Sequence, residues 1–236
     1  MAGHSKWATT HRHKAVVDAK RGAVFTKLGN MIAIAARAGT DPAMNPSLAM
    51  VLEKARQANM PNDNIKRAIA RAAEKNANEL IEETYEAYGP SGIGIIIEVA
   101  TDNRNRTFPE VKAALTKNGG RIAESGSVAF QFKRQGVIEI EGNFDEIFMT
   151  ASEVSGVLDV QDAGENLAIV YTESKDLMKT RAELIEKGLE VKNAELQYVP
   201  QSMIEMDEDA KAKAERLLDA IDDLDDVTAV HTNASL

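Results

Sequence analysis

The sequence predicts an α+β protein built from three domains, and three observations support this fold class. The first part of the chain places apolar residues at helical spacing, and strand-like segments begin near residue 84. A later block then follows the order β-α-β-β-α-β, which is typical of a ferredoxin-like domain. Hydrophobic residues make up 44% of the 236 residues but aromatic residues only 5%, so aliphatic side chains must form the cores.

The first domain is predicted to contain three helices. Apolar side chains at helical spacing define the first of them: Val24, Leu28, Met31, Ile32 and Ala35. Gly39 is the expected end of that helix. A second helix begins at Asn45-Pro46, because Asn caps a helix through its side-chain oxygen and Pro is tolerated at the first position. A third helix begins near Pro61-Asn62.

Strands begin the second domain. Thr84–Tyr88 and Ile93–Ala100 are predicted to form two adjacent strands around a Gly-Pro turn. A helix over residues 105–118 follows, with Asn105 as its expected N-cap. The alternation of apolar residues then predicts another strand through Val128, Phe130 and Phe132.

The next block has the ferredoxin-like order. Its predicted elements are a strand at Val137–Glu141, a helix capped by Asn143, strands at Leu158–Asp162 and Leu167–Tyr171, a helix from Ser174 to Lys187, and a strand at Glu190–Val199.

The end of the chain is predicted to return to the second domain. We expect a strand at Met203–Met206, a helix from Asp207 and a strand at Asp226–Thr232. Neither this fragment nor residues 84–132 can bury its own apolar face, so we expect the two to share one core. The predicted domains are therefore 1–78, 79–134 with 201–236, and an inserted domain at 135–200.

Positive charge is concentrated at the start of the chain. The first 75 residues hold 13 Lys and Arg against five Asp and Glu, whereas the remainder holds 15 against 32. The net charge of −9 conceals this asymmetry. An acidic protein with one strongly basic end is expected to bind a polyanion through that end.

Composition excludes several other classes of protein. The chain has no cysteine, which removes disulfides and thiolate metal sites. No apolar run reaches the roughly 18 residues needed to cross a bilayer, and no apolar segment follows the basic N-terminus as in a secretory signal. The sequence therefore predicts a soluble cytoplasmic protein without a membrane partner. No phosphate-loop or dinucleotide motif is present, so we expect no cofactor and no small-molecule substrate.

Residues 1–17 are predicted to be a polar tail that orders on binding nucleic acid. Lys and Arg neutralise phosphates, Trp stacks on unpaired bases, and His bonds phosphate or 2′-hydroxyl groups. The tail residues assigned to binding are His4, Ser5, Lys6, Trp7, His11, Arg12, His13 and Lys14. The three histidines are an alternative metal site, but Arg12 and the lack of a nearby carboxylate or Cys favour no metal.

Further cations are predicted to extend this surface. On the helices they are Lys20, Arg21, Lys27, Arg67, Arg71 and Lys75, of which the last three recur every four residues. Arg104 and Arg106, between a buried strand and a helix, are expected to fork onto phosphate. The alternative is an ordinary solvated helix face in the first case and an ion pair with Asp102 in the second.

Several motifs together resemble one protein family. They are Met-Ala-Gly-His-Ser-Lys-Trp at 1–7, Asp-Ala-Lys-Arg-Gly at 18–22, Phe-Thr-Lys-Leu at 25–28, Asn-Met-Pro at 59–61, Thr-Asp-Asn-Arg-Asn-Arg-Thr at 101–107 and Lys-Asn-Gly-Gly at 117–120. The chain resembles the YebC/PmpR family through nearly its whole length. The resemblance implies three domains, no enzymatic reaction and a DNA-binding transcriptional regulator. Some members are instead associated with translation at ribosomes, including on proline-rich nascent chains.

Two targets and two other functions stay open at this point. Double-stranded DNA and ribosomal RNA both fit the basic end, and a mobile tail with one Trp suits irregular RNA at least as well. A carboxylate enzyme using a divalent metal at Asp222, Asp223, Asp225 and Asp226 is the alternative of another class. A pure protein-interaction scaffold is the third. The sequence predicts neither the target sequence nor the oligomeric state.

Overall fold

The computed structural model describes residues 21–73 and 80–236. The predicted tail at 1–17 lies outside these residues. The described α-helices are α1 (Arg21–Ala35), α2 (Pro46–Gln57), α3 (Asn62–Ala73), α4 (Arg104–Lys117), α5 (Phe144–Ser152), α6 (Leu177–Glu186) and α7 (Glu208–Asp222). The strands are β1 (Ile81–Tyr88), β2 (Gly94–Thr101), β3 (Arg121–Ile122), β4 (Phe132–Glu141), β5 (Val157–Gly164), β6 (Leu167–Glu173), β7 (Glu190–Pro200) and β8 (Val227–Thr232).

The helices α1–α3 pack around a shared apolar core, as their stripes predict. The buried side chains that form it include Leu28, Ile32, Leu48, Leu52, Ala55, Met60 and Ile65. Because each helix directs one stripe inward, its polar residues are left to face solvent or a neighbouring part of the protein.

Asn45 joins α1 to α2. Its side-chain oxygen accepts a hydrogen bond of 3.1 Å from Leu48 N–H, which caps α2 as predicted. Its amide nitrogen donates 2.7 Å bonds to the carbonyls of Ala35 and Gly39, near the end of α1. One buried side chain therefore satisfies polar groups at two helix ends.

We expect Asn45→Ala to lower the free energy of unfolding by about 2 kcal/mol, because it removes a helix cap and leaves two partly buried carbonyls without a donor. Urea unfolding followed by helical circular dichroism measures this change. The matched control is Ser47→Ala on the exposed side of the same turn, for which we expect less than about 0.5 kcal/mol. Equal effects of the two substitutions would show that Asn45 has no special role.

The first sheet has the strand order β3-β1-β2-β8, with antiparallel pairing throughout. The last strand of the chain thus lies beside β2. This agrees with the prediction that the end of the chain shares a core with residues 84–132. α4 and α7 cover one face of this sheet. The buried core between them includes Ile95, Ile97, Val111, Leu115, Leu217, Leu218 and Ile221.

The second sheet has the order β5-β6-β4-β7, again antiparallel. β4, α5, β5, β6, α6 and β7 follow one another along the chain, so the predicted β-α-β-β-α-β order is confirmed. The structure as a whole is α+β, as predicted. Among the described residues no helix is long and apolar enough to cross a membrane.

The predicted strand through Val128, Phe130 and Phe132 is wrong. Ala129–Gln131 form a short 3₁₀ turn, Phe130 is 69% exposed, and β4 begins only at Phe132. The reason is Glu86, whose buried carboxylate accepts hydrogen bonds from the backbone N–H groups of Val128 and Ala129. These two N–H groups therefore cannot pair with a neighbouring strand.

Two smaller expectations also need correction. Met203–Met206 is not a strand, since only Ile204 forms an isolated bridge, to Ala234. Asn103 rather than Asn105 caps α4, because its side-chain oxygen accepts a 3.2 Å bond from Arg106 N–H. Asn105 then lies inside the first turn of the helix.

Candidate nucleic-acid interface

The helices α1–α3 contact both sheets. The side chain of Asn30 on α1 donates to the carbonyl of Ala100 on β2, at 3.4 Å. On α2, Gln57 donates to the carbonyl of Lys192 on β7 at 3.0 Å. The cations of the helical part therefore divide into those that face the acidic αβ parts and those that face outward.

Lys27 faces inward. Its ammonium group donates to the backbone carbonyl of Asp222 and lies 3.3 Å from a carboxylate oxygen of the same residue. Asp222 is the last residue of α7, where the helix dipole also favours a positive charge. Only 14% of the Lys27 side chain is exposed. Lys27, a predicted binding residue, therefore connects the helical part to α7.

Arg71 also lies between the helical part and the first sheet. Its guanidinium donates a 3.1 Å hydrogen bond to the side-chain oxygen of Asn30 and lies 3.9 Å from a carboxylate oxygen of Asp102. Its side chain is 36% exposed, so one side of the guanidinium still reaches solvent.

Arg104 and Arg106 both have carboxylate partners, and for Arg106 this is the alternative that the sequence left open. Arg104 pairs with Glu83 at 2.9 Å. Arg106 lies 3.3 Å from Asp102 and 2.6 Å from the buried Asp226. The hydrogen bond to Asp226 and its negative charge raise the pKa of Arg106.

Asp226 lies at the centre of a polar network. Besides Arg106, the hydroxyl groups of Thr101 and Thr107 donate to the same carboxylate oxygen, at 3.0 and 2.5 Å. Burial alone would raise the pKa of Asp226, but the hydrogen bonds from Thr107, Arg106 and Thr101 together lower it. This carboxylate holds the start of α4 against the start of β8.

Arg67 is the predicted helix residue that faces solvent. It is exposed, and within the described residues its polar partners are the side chain of Asn64 and the carbonyl of Asp63. A neutral amide and a carbonyl leave the guanidinium charge uncompensated. Arg67 therefore keeps the capacity to bind an anion.

Three further cations share these properties but were not singled out from the sequence. They are Arg37, Arg56 and Lys66, all exposed and none with a carboxylate partner in the part of the chain that the structure describes. The low density of acidic residues near them is the sequence feature that could have identified them. The sequence analysis relied instead on the regular four-residue spacing, which identified Arg67 and Arg71.

Two of these cations lie on α3, and the other two lie on segments that precede α3 in the chain or contact it. Lys66 and Arg67 are on α3, and Arg56 is in the last turn of α2, just before α3 begins. Arg37 is in the 3₁₀ segment Ala36–Ala38, which contacts α3. We call Arg37, Arg56, Lys66 and Arg67 the α3 surface. All four of its side chains are exposed to solvent.

The other predicted binding residues cannot be placed. His4, Ser5, Lys6, Trp7, His11, Arg12, His13, Lys14, Lys20 and Lys75 lie outside the described residues. Arg21 begins α1, but its side chain is not described. Their role stays a prediction.

The acidic residues suggested as a metal site are not grouped as metal ligands. Asp226 belongs to the threonine–arginine network, and Asp222 contacts Lys27. Over residues 21–73 and 80–236, no three His, Cys, Asp or Glu side chains are placed to hold a metal ion.

A helical part with exposed cations and two antiparallel sheets make the described part of the chain an α+β protein. Residues 5–75 match the family model described as the TACO1/YebC protein N-terminal domain, and residues 80–234 match the TACO1/YebC second and third domain. The chain belongs to the TACO1/YebC family.

Similar proteins carry a regulatory name. A probable transcriptional regulatory protein of Thermobifida fusca is 44% identical over 241 residues, covering 100% of this chain and 96% of the relative. One of Gloeothece citriformis is 45% identical, covering 99% and 95%. A crystal structure of a conserved hypothetical protein from Aquifex aeolicus superposes with a TM-score of 0.86 at 39% identity, covering 93% of this chain and 92% of that one. The protein is thus a regulator of this family.

Proposed function

We propose that this protein regulates gene expression by binding nucleic acid through its helical end. The observation that carries the proposal is the α3 surface, where four cations stay open while Lys27, Arg71, Arg104 and Arg106 face carboxylates. Cations at such a surface displace the counterions condensed on a phosphate backbone, which provides affinity without reading sequence.

Charge distribution supports a single orientation of docking. The chain beyond residue 75 has 15 Lys and Arg against 32 Asp and Glu, so it repels a polyanion. The helical end would then approach the phosphates while the two sheets stay away from them. The predicted tail residues, with Trp7 among them, would add further contacts to the same nucleic acid.

Double-stranded DNA is the first target that we propose, since similar proteins are named probable transcriptional regulatory proteins. Ribosomal RNA is the second, and Trp7 favours it, because an aromatic ring stacks on unpaired bases at about 1–3 kcal/mol per base. Binding at the ribosome would make the protein a factor of translation rather than transcription.

Crosslinking in cells followed by sequencing of the recovered nucleic acid distinguishes these targets. Enrichment of promoter DNA supports control of transcription, and enrichment of a defined patch of ribosomal RNA supports control of translation. The control is a variant with Arg37, Arg56, Lys66 and Arg67 changed to Glu. Recovery of the same nucleic acid at the same level from this variant would refute the proposed interface.

A further inference from the structure

The first sheet has an open edge along most of β1. β3 pairs with β1 only at Ala87 and Tyr88. From Ile81 to Glu86, β1 has β2 on one side and no strand of the described chain on the other. An unpaired strand edge is a template on which another polypeptide strand can form backbone hydrogen bonds.

The pairing shows which backbone groups face outward. Gly89 N–H donates to the carbonyl of Ile93, so odd-numbered positions of β1 bond toward β2. Ala123 N–H donates to the carbonyl of Glu86, so even-numbered positions bond away from β2. The N–H and C=O groups of Thr84 therefore point to the open side.

A groove with a volume of about 710 Å³ runs beside this edge, between α4 and residues 122–125. Its apolar lining includes Tyr85, Phe108, Pro109 and Ile122. The rings of Tyr85 and Phe108 meet edge to face with centroids 5.5 Å apart, and Phe108 is 37% exposed. Side chains of an added strand would have an apolar floor on which to pack.

The lining of the groove carries one net negative charge, from Glu83 and Glu86 against Arg104. Arg104 pairs with Glu83, so their charges offset each other. Glu86 is the other carboxylate in the lining. Burial alone would raise the pKa of Glu86, but N–H bonds from Gly126, Ala129 and Val128 lower it and keep the carboxylate ionised.

The hydroxyl of Tyr85 adds a polar group to the groove. It donates a 2.6 Å bond to Glu83, and burial together with this carboxylate raises the pKa of Tyr85 to about 12. The exposed Glu82 and Glu124 extend the negative charge on either side. A phosphate backbone would be repelled here, whereas lysine and arginine side chains would be attracted.

We infer that the open edge of β1 binds an extended, lysine- or arginine-rich segment of another protein as an added β-strand. Backbone bonds at Thr84 would set its register, and its alternate side chains would contact the apolar floor and the acidic rim. A second copy of this chain is a poor occupant. Antiparallel self-pairing about Thr84 would place Glu82 opposite Glu86, and like charges opposite each other destabilise a strand pair.

The probe for this site is the acetylated and amidated octapeptide (Lys-Val)₄, titrated into the full chain labelled with ¹⁵N. We expect the Thr84 amide resonance to shift and its hydrogen exchange to slow on binding. The acidic peptide (Glu-Val)₄ should bind at least about tenfold more weakly. Equal binding of both peptides, or an unchanged Thr84 amide, would refute the proposal.

Substitution at Thr84 tests the backbone bonds. Thr84→Pro removes an N–H group that the sheet does not use, and Pro is tolerated at strand edges, so we expect a folded protein that binds (Lys-Val)₄ about tenfold or more weakly. The matched control Thr84→Val keeps the N–H and should bind within about twofold of wild type. Equal affinity of the two variants for the peptide would contradict strand addition. If the free chain forms dimers and Thr84→Pro abolishes them, the occupant is instead a second copy of this chain.

The site is separable from the nucleic-acid interface. Changing the α3 surface to Glu should leave (Lys-Val)₄ binding undiminished, because none of its residues lines the groove. If nucleic acid, rather than the basic peptide, shifts the Thr84 amide, the inference is wrong. That result would leave the proposed regulation of gene expression untouched.

Discussion

Reversing the four charges of the α3 surface is expected to lower nucleic-acid affinity by at least about 100-fold near 0.1 M salt. Each lost phosphate contact makes the slope of log affinity against log salt shallower by about 0.9. The slope should therefore become shallower by about 3 to 4 in the fourfold variant Arg37→Glu, Arg56→Glu, Lys66→Glu, Arg67→Glu. Fluorescence anisotropy with a labelled duplex and with a structured RNA, at several salt concentrations, measures both quantities.

The matched control carries the same total change of charge on other parts of the surface. Lys112, Lys117, Lys213 and Arg216 are exposed on α4 and α7, and none of them has a carboxylate partner among the described residues. Changing all four to Glu should alter affinity by less than about tenfold and leave the salt slope within about one unit, because screening weakens charges that lie beyond a Debye length of the phosphates. Equal losses in the two fourfold variants would mean that net charge, and not this surface, controls binding.

Asp226→Ala is expected to have the largest effect of a single substitution on stability, about 2–4 kcal/mol. Asp226 is 6% exposed, and its carboxylate accepts bonds from two threonine hydroxyls as well as from Arg106, so its removal leaves buried polar groups without their ionised acceptor. Because the guanidinium of Arg106 is partly exposed, solvent screens its share of this effect. Urea unfolding of the full chain measures the change, and Asp225→Ala, at the exposed neighbour, is the control with an expected effect below about 0.5 kcal/mol.

The same network predicts a dependence of stability on pH. The pKa of Asp226 is lower in the folded protein than its ordinary value, so its contribution is complete above the unfolded pKa of about 3.9. The contribution is lost as the pH falls below that value and through the lowered pKa, since the unfolded chain then binds the proton more tightly. The difference in stability between wild type and Asp226→Ala should therefore shrink at low pH. A difference that is constant from pH 7 to pH 2 would show that the charge of Asp226 is irrelevant.

Much of the fold follows from local sequence signals. Asn45, Asn143 and Asp207 each cap the helix that follows, as their positions before apolar stripes predict. The ferredoxin-like order was visible because its strands and helices alternate with clear turn residues between them. The predicted domain boundaries at residues 78, 134 and 200 stay predictions.

The errors arise where a distant side chain controls the backbone. Val128 and Ala129 lie more than 40 residues from Glu86, so nothing in their own segment shows that a carboxylate takes their N–H groups. Local alternation of apolar residues then imitates a strand. Glu86 itself gives no sequence signal of burial, since it lies between Tyr85 and Ala87 in an acidic strand.

The candidate site was predictable only in outline for the same reason. Charge asymmetry predicts an interface at the helical end, but the sequence does not show which cations meet a carboxylate. Lys27 and its partner Asp222 are 195 residues apart. Only the contact of Lys27 with the end of α7 distinguishes this enclosed residue from the open Arg67, which looks the same in the sequence.

Mapping of crosslinks on the full chain tests the central claim most directly. Nucleic acid carrying a photoreactive group on its backbone is bound to the protein and irradiated, and the attached peptides are identified by mass spectrometry. We predict crosslinks on peptides that contain Arg37, Arg56, Lys66 or Arg67 and few on residues 80–236. Crosslinks concentrated on the two sheets, with the α3 surface unlabelled, would contradict the account.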